Sequence, residues 1–581
     1  MGPGNFFDHK IRHEFPYGYY ASDAFQHQVR AEAIKDAGNF RYEATYISKG
    51  FENVVGRYPP VIYHLAVILS HLSGLETYDS IYFIALFFPI IAVFILYFII
   101  SNFNKNVAII SLPFSLLIYS YPINTGLTWG HWPSILSQSF LIGFFWSIAR
   151  IDIEKSFIFI SAFLTGMVMT HTSEAIFAIL FLALFFGFRL LTRKLSKEEI
   201  KKVVIACVIA FVAAFYYLII FKGTLARVES YSFLVEPEWN GNPGFYIYGF
   251  KFLLIFLVAG IIFSLIALND IIAGIVFGLL IFYFSFFVYD NALLKSIQPW
   301  QLLVLTIFIA SISMAILFFF SKMKELHTAF ILAYTMLLGG FLNYIGFSLR
   351  SFQVRFFWPI YLSVFFGLGL YMLSKLVIRR WNVIFSIAIS IVFAFLLSGA
   401  FNISFIPQYN YQTSPGIMDK YHWQALTWLS EKTEPNARVY FFYGNMYSQD
   451  ALLRNSKRIH YEVDPKDFIK AIQERKIKRY YVSKFPGDSG GSFAVRTGLF
   501  SFKDASEGKP SEYFFGPQDI CKFDYIVFDK PQNDKDLKIY NVIISNSLKK
   551  DFVNKVYDDN EVLFIVKNNK TGADCIEERS F

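Results

Sequence analysis

The sequence is poor in charge, and it lacks the short motifs of several large enzyme classes. Only 17% of its 581 residues are charged, whereas soluble domains carry about 25%. No Walker A motif, H-E-x-x-H zinc motif or C-x-x-C pair is present. The glycine-rich stretch at 485–492 is not a P-loop, because no G-K-[ST] follows it. These absences argue against P-loop NTPases and zincins.

Cysteine is scarce, and no leader peptide is predicted. The chain has three cysteines, of which Cys207 lies in an apolar run and Cys521 and Cys575 lie in a polar tail. The last two would pair if that tail faced an oxidising exterior. No apolar core follows Met1, so no cleavable signal is predicted. No membrane span precedes residue 57 either, and we therefore expect the natural start to lie upstream.

Apolar residues are abundant instead. They form 55% of the chain, and the mean hydropathy is +0.43. Apolar runs of spanning or near-spanning length lie at 61–73, 80–100, 107–120, 134–149, 157–188, 203–221, 252–268, 271–288, 301–320, 328–347, 357–375 and 382–406. The run at 157–188 is interrupted by THTSE, which predicts two short helices with a polar turn. The pattern predicts a mostly α polytopic membrane protein with about 11 to 13 transmembrane or membrane-embedded helices.

The basic residues indicate orientation. The formal charge of +9 comes from Lys and Arg bunched in short loops, which favours topology signals over nucleic-acid binding. The loops at 189–202, 321–326 and 377–382 are predicted to be cytoplasmic. The tail from 407 then faces the outside. We predict a multi-pass protein of the cell membrane that contacts membrane lipid and no nucleic acid.

The tail has a different character. Strand-like RVYFF, RIHYEV, FDYIVFD and EVLFIVKN alternate with helical stretches, which predicts a small α/β domain. We therefore predict a first outer loop with an amphipathic helix at 1–57, a transmembrane domain at 58–406 and an extracytoplasmic α/β domain at 407–581.

The first candidate site is the polar stretch 17–40. If it is helical, Asp23, His27 and Arg30 share one face, while an apolar set of Phe25, Val29 and Ala33 lines another. Asp23 suits a general base that takes a proton from a hydroxyl, with His27 orienting it. Two alternatives stay open. Asp23 and Gln26 fit a helix capping box, and Asp8, His9 and His13 with Asp23 and His27 suggest zinc, although their spacing matches no strong ligand pattern.

Polar groups in other predicted outer loops supply further candidates. Arg350 and Arg355 are suited to binding a phosphate, and an interfacial snorkelling pair is the alternative. Weaker candidates for contacting a sugar or an acceptor are His131, which Trp129 and Trp132 flank, and His171, Glu174, Glu236 and Glu238. Each of these also has an ordinary structural explanation, as a helix end, an exposed loop acid or an interfacial anchor.

Three segments together resemble the GT-C superfamily of membrane glycosyltransferases. They are SDAFQHQ at 22–28, RYPPVIYHL at 57–65 and LSGLE at 72–76. The resemblance implies transfer of a sugar from a polyprenyl-phosphate carrier to a glycan, protein or lipid acceptor on the outer face. Asp23 matches the acidic residue of the family's first outer loop, and Arg350 and Arg355 lie in the kind of loop that meets the lipid phosphate. A single displacement would invert the anomeric centre.

The sequence also departs from that family. The W-W-D-Y-G motif is absent, which disfavours en bloc transfer of an oligosaccharide to asparagine. A D-x-D pair in the second outer loop is missing, so no cofactor or metal is predicted to be required, and a divalent cation stays an open alternative. The rival hypothesis is a non-enzymatic membrane protein, either a transporter or an inactive relative with a partner-binding outer domain.

Overall fold

A computed structural model describes residues 11–40, 42–47, 58–119, 123–171, 174–191, 195–225, 246, 253–267, 328–340, 351–378, 382–398, 416–442, 450–463, 481–482, 518–519, 523–529, 553–559 and 563–569. The chain divides into two compact units. The helical unit holds Phe83–Tyr216 and Ser230–Asn410 with Met1–His9, and the mixed unit holds Lys10–Tyr82, Tyr217–Glu229 and Tyr411–Phe581. The predicted domain boundaries stay a prediction.

Helices dominate the first 400 residues. In chain order they are α1 Ser22–Ala37, α2 Val61–Ser73, α3 Thr77–Ser101, α4 Lys105–Ser115, α5 Thr125–Thr128, α6 Trp132–Ala149, α7 Ser156–Val168, α8 Glu174–Leu191, α9 Lys197–Leu225, α10 Leu254–Ala267, α11 Thr328–Gly339, α12 Ser351–Phe356, α13 Trp358–Tyr361, α14 Ser363–Val377 and α15 Asn382–Ser398. A mostly helical fold with a C-terminal sheet region is therefore confirmed. The run at 157–188 forms two helices, α7 and α8, as predicted.

Helix α3 is the one described helix that is long and apolar enough to cross a membrane by length and composition. Its most apolar window has a mean hydropathy of 3.0. Large apolar side chains of α3 are exposed, namely Phe83, Phe87, Ile90, Phe94 and Phe98. Shorter apolar helices include α2, α7, α14 and part of α15. The predicted spans at 271–288 and 301–320 lie outside the described residues, and the number of spans stays a prediction.

Helices α10 and α14 of the helical unit pack at glycines. A Cβ atom added at Gly369 would collide with the backbone carbonyl oxygen of Phe256, and one added at Gly260 would collide with that of Phe365. Small residues let apolar helices approach backbone to backbone, so that dispersion contacts hold the pair without a polar contact. The two glycines are therefore a steric requirement of this packing.

The mixed unit contains the sheet. Its elements are α16 Lys420–Lys432, β1 Arg438–Phe442, α17 Asp450–Leu453, β2 Ile459–Val463, β3 Tyr481–Val482, β4 Gln518–Asp519, β5 Tyr525–Asp529, β6 Val553–Asp558 and β7 Leu563–Asn568. Five strands pair in the order β2-β1-β5-β7-β6, and β3 pairs with β4. The contacts of β1 with β2 and β5 are parallel, and those of β7 with β5 and β6 are antiparallel. Four of the five residues of β1 are buried, as expected of a central strand covered on both faces.

A charged histidine ties α16 to the end of β5. His422 Nδ1 lies 2.6 Å from Asp419 Oδ2, and Nε2 lies 3.4 Å from Asp529 Oδ1. Burial opposes the imidazolium, but the hydrogen bonds and charges of the two carboxylates outweigh it and raise the pKa of His422 to about 9. Asp419 also caps the helix by accepting the His422 N–H at 2.9 Å. The aspartate and the imidazolium therefore anchor the start of α16 together.

The contacts of His422 with Asp419 and Asp529 predict that the sheet domain loses stability between neutral and alkaline pH. The folded-state pKa lies above the unfolded value of about 6.5, so the stabilisation is complete below about pH 6.5 and is lost as the pH rises through about 9. The expected loss is of the order of 2–3 kcal/mol. Hydrogen exchange of peptides from α16 and β5, corrected for the intrinsic rate, should show weaker protection at pH 9.5 than at pH 6.5. His422→Gln should remove most of that difference, and equal protection at both pH values in the wild type would contradict the prediction.

Candidate functional site

Helix α1 carries the first candidate group. The helix begins at Ser22 and its N-cap is Ala21, which has no capping side chain, so Asp23 already lies inside the first turn. An N-cap residue needs non-helical backbone angles, and the capping-box interpretation of Asp23 is therefore wrong. The Asp23 side chain is half-buried, and its carboxylate lies near the positive end of the helix dipole.

The apolar face of α1 fixes the helix in the mixed unit. Phe25 and Val29 are fully buried, and Val29 packs with Ala33 and Ile47 in one cluster. The helix ends at Gly38, which adopts a left-handed conformation with φ 68° and donates its N–H to Ile34 O at 2.8 Å. The predicted apolar face is thus confirmed, and it holds the polar residues of α1 in fixed positions.

His27 is buried rather than exposed beside Asp23. Its Nδ1 lies 2.8 Å from the Tyr63 hydroxyl on α2, and its ring packs edge-on against Tyr58 at 5.4 Å. The contact joins α1 to the segment that contains the Y-P-P sequence. The role of His27 in orienting Asp23 stays a prediction.

Arg30 forms a buried ion pair that was not predicted from the sequence. Its Nε donates to Glu43 Oε1 at 3.1 Å, and the two side chains are only 4% and 5% exposed. The Arg30 guanidinium also donates to Gln26 O at 3.1 Å and lies 4.7 Å from the centre of the Tyr58 ring. Burial raises the pKa of Glu43, while Arg30 and, more weakly, Arg454 act to lower it. The pair fixes the turn at 42–47 against α1.

A second pair in the mixed unit involves His13, which the sequence offered only as a zinc ligand. Its Nδ1 lies 2.7 Å from Asp79 Oδ1, and its backbone N–H donates to Asp79 Oδ2 at 2.9 Å. Tyr78 donates its hydroxyl to His13 O at 2.8 Å. These bonds tie the start of the described chain to the first turn of α3. Within the described ranges no group of three or more His, Cys, Asp or Glu side chains is placed to hold a metal ion, and Asp8 and His9 lie outside those ranges.

In the helical unit the structure brings His171 and Glu174 together. His171 Nδ1 lies 2.5 Å from Glu174 Oε2, and Ser134 donates its hydroxyl to Glu174 Oε1 at 2.7 Å. Gln138 continues this network, because its amide donates to Ser134 Oγ at 3.2 Å and accepts from the Tyr361 hydroxyl at 3.2 Å. Glu174 is 1% exposed. A buried ionisable group among apolar helices is costly and is usually kept for a function.

Arg355 of the helical unit is fully buried. Its Nε donates to Gly340 O at 2.7 Å, and its guanidinium carbon lies 5.7 Å from the centre of the Tyr246 ring. His131 stacks on the neighbouring Phe356 at 5.3 Å between ring centres. The role of Arg355 in binding a phosphate stays a prediction. Arg350, Glu236 and Glu238 lie outside the described residues, as do Cys521 and Cys575, whereas Cys207 is an exposed free thiol on α9.

Comparisons with known proteins place this geometry in a fold class. No protein-family model matches the sequence, and no curated protein matches it significantly. Among solved structures the chain is similar to ArnT from Cupriavidus metallidurans bound to undecaprenyl phosphate, with 10% identity and a TM-score of 0.51, over 97% of this chain and 95% of ArnT. It also matches the oligosaccharyltransferase AglB from Archaeoglobus fulgidus in complex with an inhibitory peptide and a dolichol-phosphate, with 13% identity and a TM-score of 0.43, over 94% of this chain and 70% of AglB.

ArnT is a GT-C glycosyltransferase. Because its match extends over nearly the whole of both chains, the GT-C fold that the resemblance predicted is confirmed. At 10% identity the match establishes the fold and leaves the activity to be argued from the residues of this chain.

Proposed function

We propose that this protein is a membrane glycosyltransferase that moves a sugar from a polyprenyl-phosphate carrier to an acceptor hydroxyl or amide. The observation that carries the proposal is the match to ArnT over 97% of the chain, together with a carboxylate at the start of α1. ArnT has been crystallised with undecaprenyl phosphate bound, which supports a carrier of the same chemistry for this chain.

Asp23 is the base in this proposal. A proton moves from the acceptor to the Asp23 carboxylate, the acceptor atom attacks the anomeric carbon, and the bond from that carbon to the phosphate oxygen breaks. The lipid phosphate leaves with the electron pair, so a single displacement inverts the anomeric centre. Fixed attachment of α1 through Phe25, Val29 and the Arg30–Glu43 pair supports this role, because a base must be held in position.

The leaving phosphate needs cations that stabilise its developing charge. Arg355 and Arg350 are the proposed ligands, and the proposal requires the Arg355 guanidinium to turn from Gly340 O toward the phosphate. His131, His171, Glu174, Glu236 and Glu238 are the proposed weaker contacts to the sugar or the acceptor. No metal ion is needed in this scheme.

We place the protein in the cell membrane with several spans and with the C-terminal domain outside. The exposed phenylalanines of α3 support the membrane assignment, since a row of large apolar side chains is stable in lipid and costly in water. The basic segments at 189–202 and 377–382, which were predicted to be cytoplasmic, support the orientation.

A turnover assay tests the proposal. Purified full-length protein in detergent or nanodiscs is incubated with a panel of polyprenyl-phosphate sugars, and released lipid phosphate and transferred sugar are measured by mass spectrometry. We expect release with at least one donor, together with inversion at the anomeric carbon of the product. Absence of release and of transfer with every donor, from protein that is monodisperse and folded, would contradict the proposal and favour the non-enzymatic alternative.

A further inference from the structure

A histidine and a buried glutamate pair at the turn between α7 and α8. The Glu174 side chain is 1% exposed and is out of reach of a substrate, whereas the His171 side chain is 18% exposed. Glu174 engages His171 Nδ1, and Nε2 of the same ring has no partner among the residues that the structure describes. A ligand at this turn therefore meets His171 Nε2, and Glu174 acts only through the ring.

Hydrogen bonds from two neighbouring helices hold this pair in place. The His171 N–H donates to Met167 O at 2.9 Å, and the His171 carbonyl accepts from the Ser137 hydroxyl at 3.1 Å. Glu174 Oε1 accepts from the Ser134 hydroxyl at 2.7 Å. Because these bonds already fix the ring, little conformational freedom is lost when a ligand binds to it.

Burial determines which hydrogen Nε2 carries. Among the described residues, the one basic side chain that contacts Glu174 is His171. A buried carboxylate without a balancing charge is costly, so the pair is most stable when its net charge is zero. Two states meet this condition, namely an imidazolium beside a carboxylate, and a neutral imidazole whose Nδ1 accepts from the protonated acid. In both states Nε2 carries a hydrogen, and the nitrogen that faces a ligand is therefore a donor.

The pair lies at the end of the helical unit that carries the proposed phosphate ligand Arg355. Glu174 connects through Ser134 to Gln138, whose Nε2 donates to the backbone oxygen of Gln353 on α12 at 2.8 Å. Arg355 belongs to the same short helix. Helix α8 has 18 residues and is about 27 Å long, and it ends in the basic segment predicted to be cytoplasmic. The pair therefore lies at the opposite, predicted outer end of α8.

We propose that His171 donates its Nε2 hydrogen to the phosphate of the polyprenyl-phosphate carrier, and that Glu174 is a positioning residue that keeps this hydrogen in place. The inference rests on the proposed function, and it replaces the general sugar or acceptor contact of these two residues by distinct roles. A phosphate oxygen is charged and accepts more strongly than a sugar oxygen does. The imidazolium is also closer to such a ligand than the carboxylate behind it, so attraction exceeds repulsion.

Binding of undecaprenyl phosphate to the full-length protein in detergent tests this contact. The affinity is measured by microscale thermophoresis, with undecaprenol as the reference lipid that has a hydroxyl in place of the phosphate. Asparagine in His171→Asn keeps an amide donor near the position of Nδ1, but it has no atom at the position of Nε2. We expect this variant to raise Kd for undecaprenyl phosphate about tenfold or more and to leave Kd for undecaprenol unchanged.

Two further variants separate the contact from a structural role. Glutamine in His171→Gln reaches the position of Nε2 with an amide donor and should recover part of the lost affinity. Glu174→Gln donates to Nδ1, which keeps the hydrogen on Nε2 but removes the charge, so its loss should be smaller than that of His171→Asn. His71→Asn changes an exposed histidine of α2 and is the matched control, which should bind both lipids as the wild type does.

The outcomes distinguish this contact from the transferase proposal. Phosphate-specific binding that depends on His171, in a protein without turnover, would sustain the contact while the transferase proposal fails. Turnover that depends on Asp23, with equal affinity of the wild type and His171→Asn for undecaprenyl phosphate, would overturn the contact alone. An equal loss of affinity for undecaprenol would overturn it too, since the histidine would then serve packing or the lipid tail. A folded wild type that does not prefer the phosphate to the alcohol would be equally decisive against it.

Discussion

Replacement of Asp23 by asparagine is expected to lower kcat for sugar transfer by a factor of about 10² to 10⁴. Asparagine keeps the size of the side chain and its position in the first turn of α1, but its amide cannot take the proton of the acceptor. Since the change removes an interaction made in the transition state, KM for the donor should change little. The measurement is the initial rate of lipid-phosphate release at several donor concentrations.

The control for this variant lies on the same helix. Asp36→Asn also replaces a carboxylate by an amide, and it removes an exposed ion pair with Lys457 at 2.6 Å. Exposed ion pairs contribute about 1 kcal/mol or less, so turnover should stay close to that of the wild type. An Asp23→Asn variant that turns over within threefold of Asp36→Asn would remove Asp23 from the catalytic assignment.

The second large effect is expected from Gly369→Ala in the helical unit. The new methyl group would meet the backbone carbonyl of Phe256 on α10, and a backbone atom cannot move aside as the end of a side chain can. The two helices must separate, at a cost in the upper part of the range of about 1–3 kcal/mol seen for overpacked cores. We expect a clearly lower Tm in detergent and a smaller monodisperse fraction.

Gly187 of α8 provides the matched comparison. It is also a glycine inside a helix, but a Cβ atom added there meets no atom within 4 Å. Alanine at this position should be neutral or should raise the stability by about 0.5–1 kcal/mol, because it restricts the unfolded chain and favours the helix. If Gly369→Ala and Gly187→Ala had the same Tm, the close approach of α10 and α14 would not limit the stability of the unit.

Local pattern accounts for much of the fold. The period of Phe25, Val29 and Ala33 predicts the buried face of α1, and strand-like stretches between helical ones predict β1, β2, β5 and β7. Strand β6 was not predicted, because its sequence VNKVYD has no run of apolar residues. The strand lies at the edge of the sheet, where few of its side chains are buried. The capping-box alternative would start α1 at Ala24, two residues beyond its observed start at Ser22, which is enough to turn a capping aspartate into a first-turn aspartate.

The polar contacts of the candidate site were much less predictable. His13 meets Asp79 across 66 residues, and Gln138 meets Tyr361 across 223. No local period encodes such pairs, since tertiary packing alone brings them together. Glu43 is the clearest example, because its turn carries no motif, and its buried pairing with Arg30 appears only in the folded chain. The buried position of Arg355 was equally invisible, because an arginine in a predicted outer loop suggests an exposed side chain.

The mixed unit also sets an order of events during synthesis of the chain. Its first part, residues 10–82, leaves the ribosome more than three hundred residues before the part that begins at Tyr411. Tyr19 bridges to Gly416, and Lys457 pairs with Glu32 and Asp36, so α1 makes part of its native contacts with residues translated late. The helix that carries Asp23 is therefore among the first segments made and among the last to be fully supported. Until Gly416 and Lys457 have been synthesised, α1 lacks these contacts.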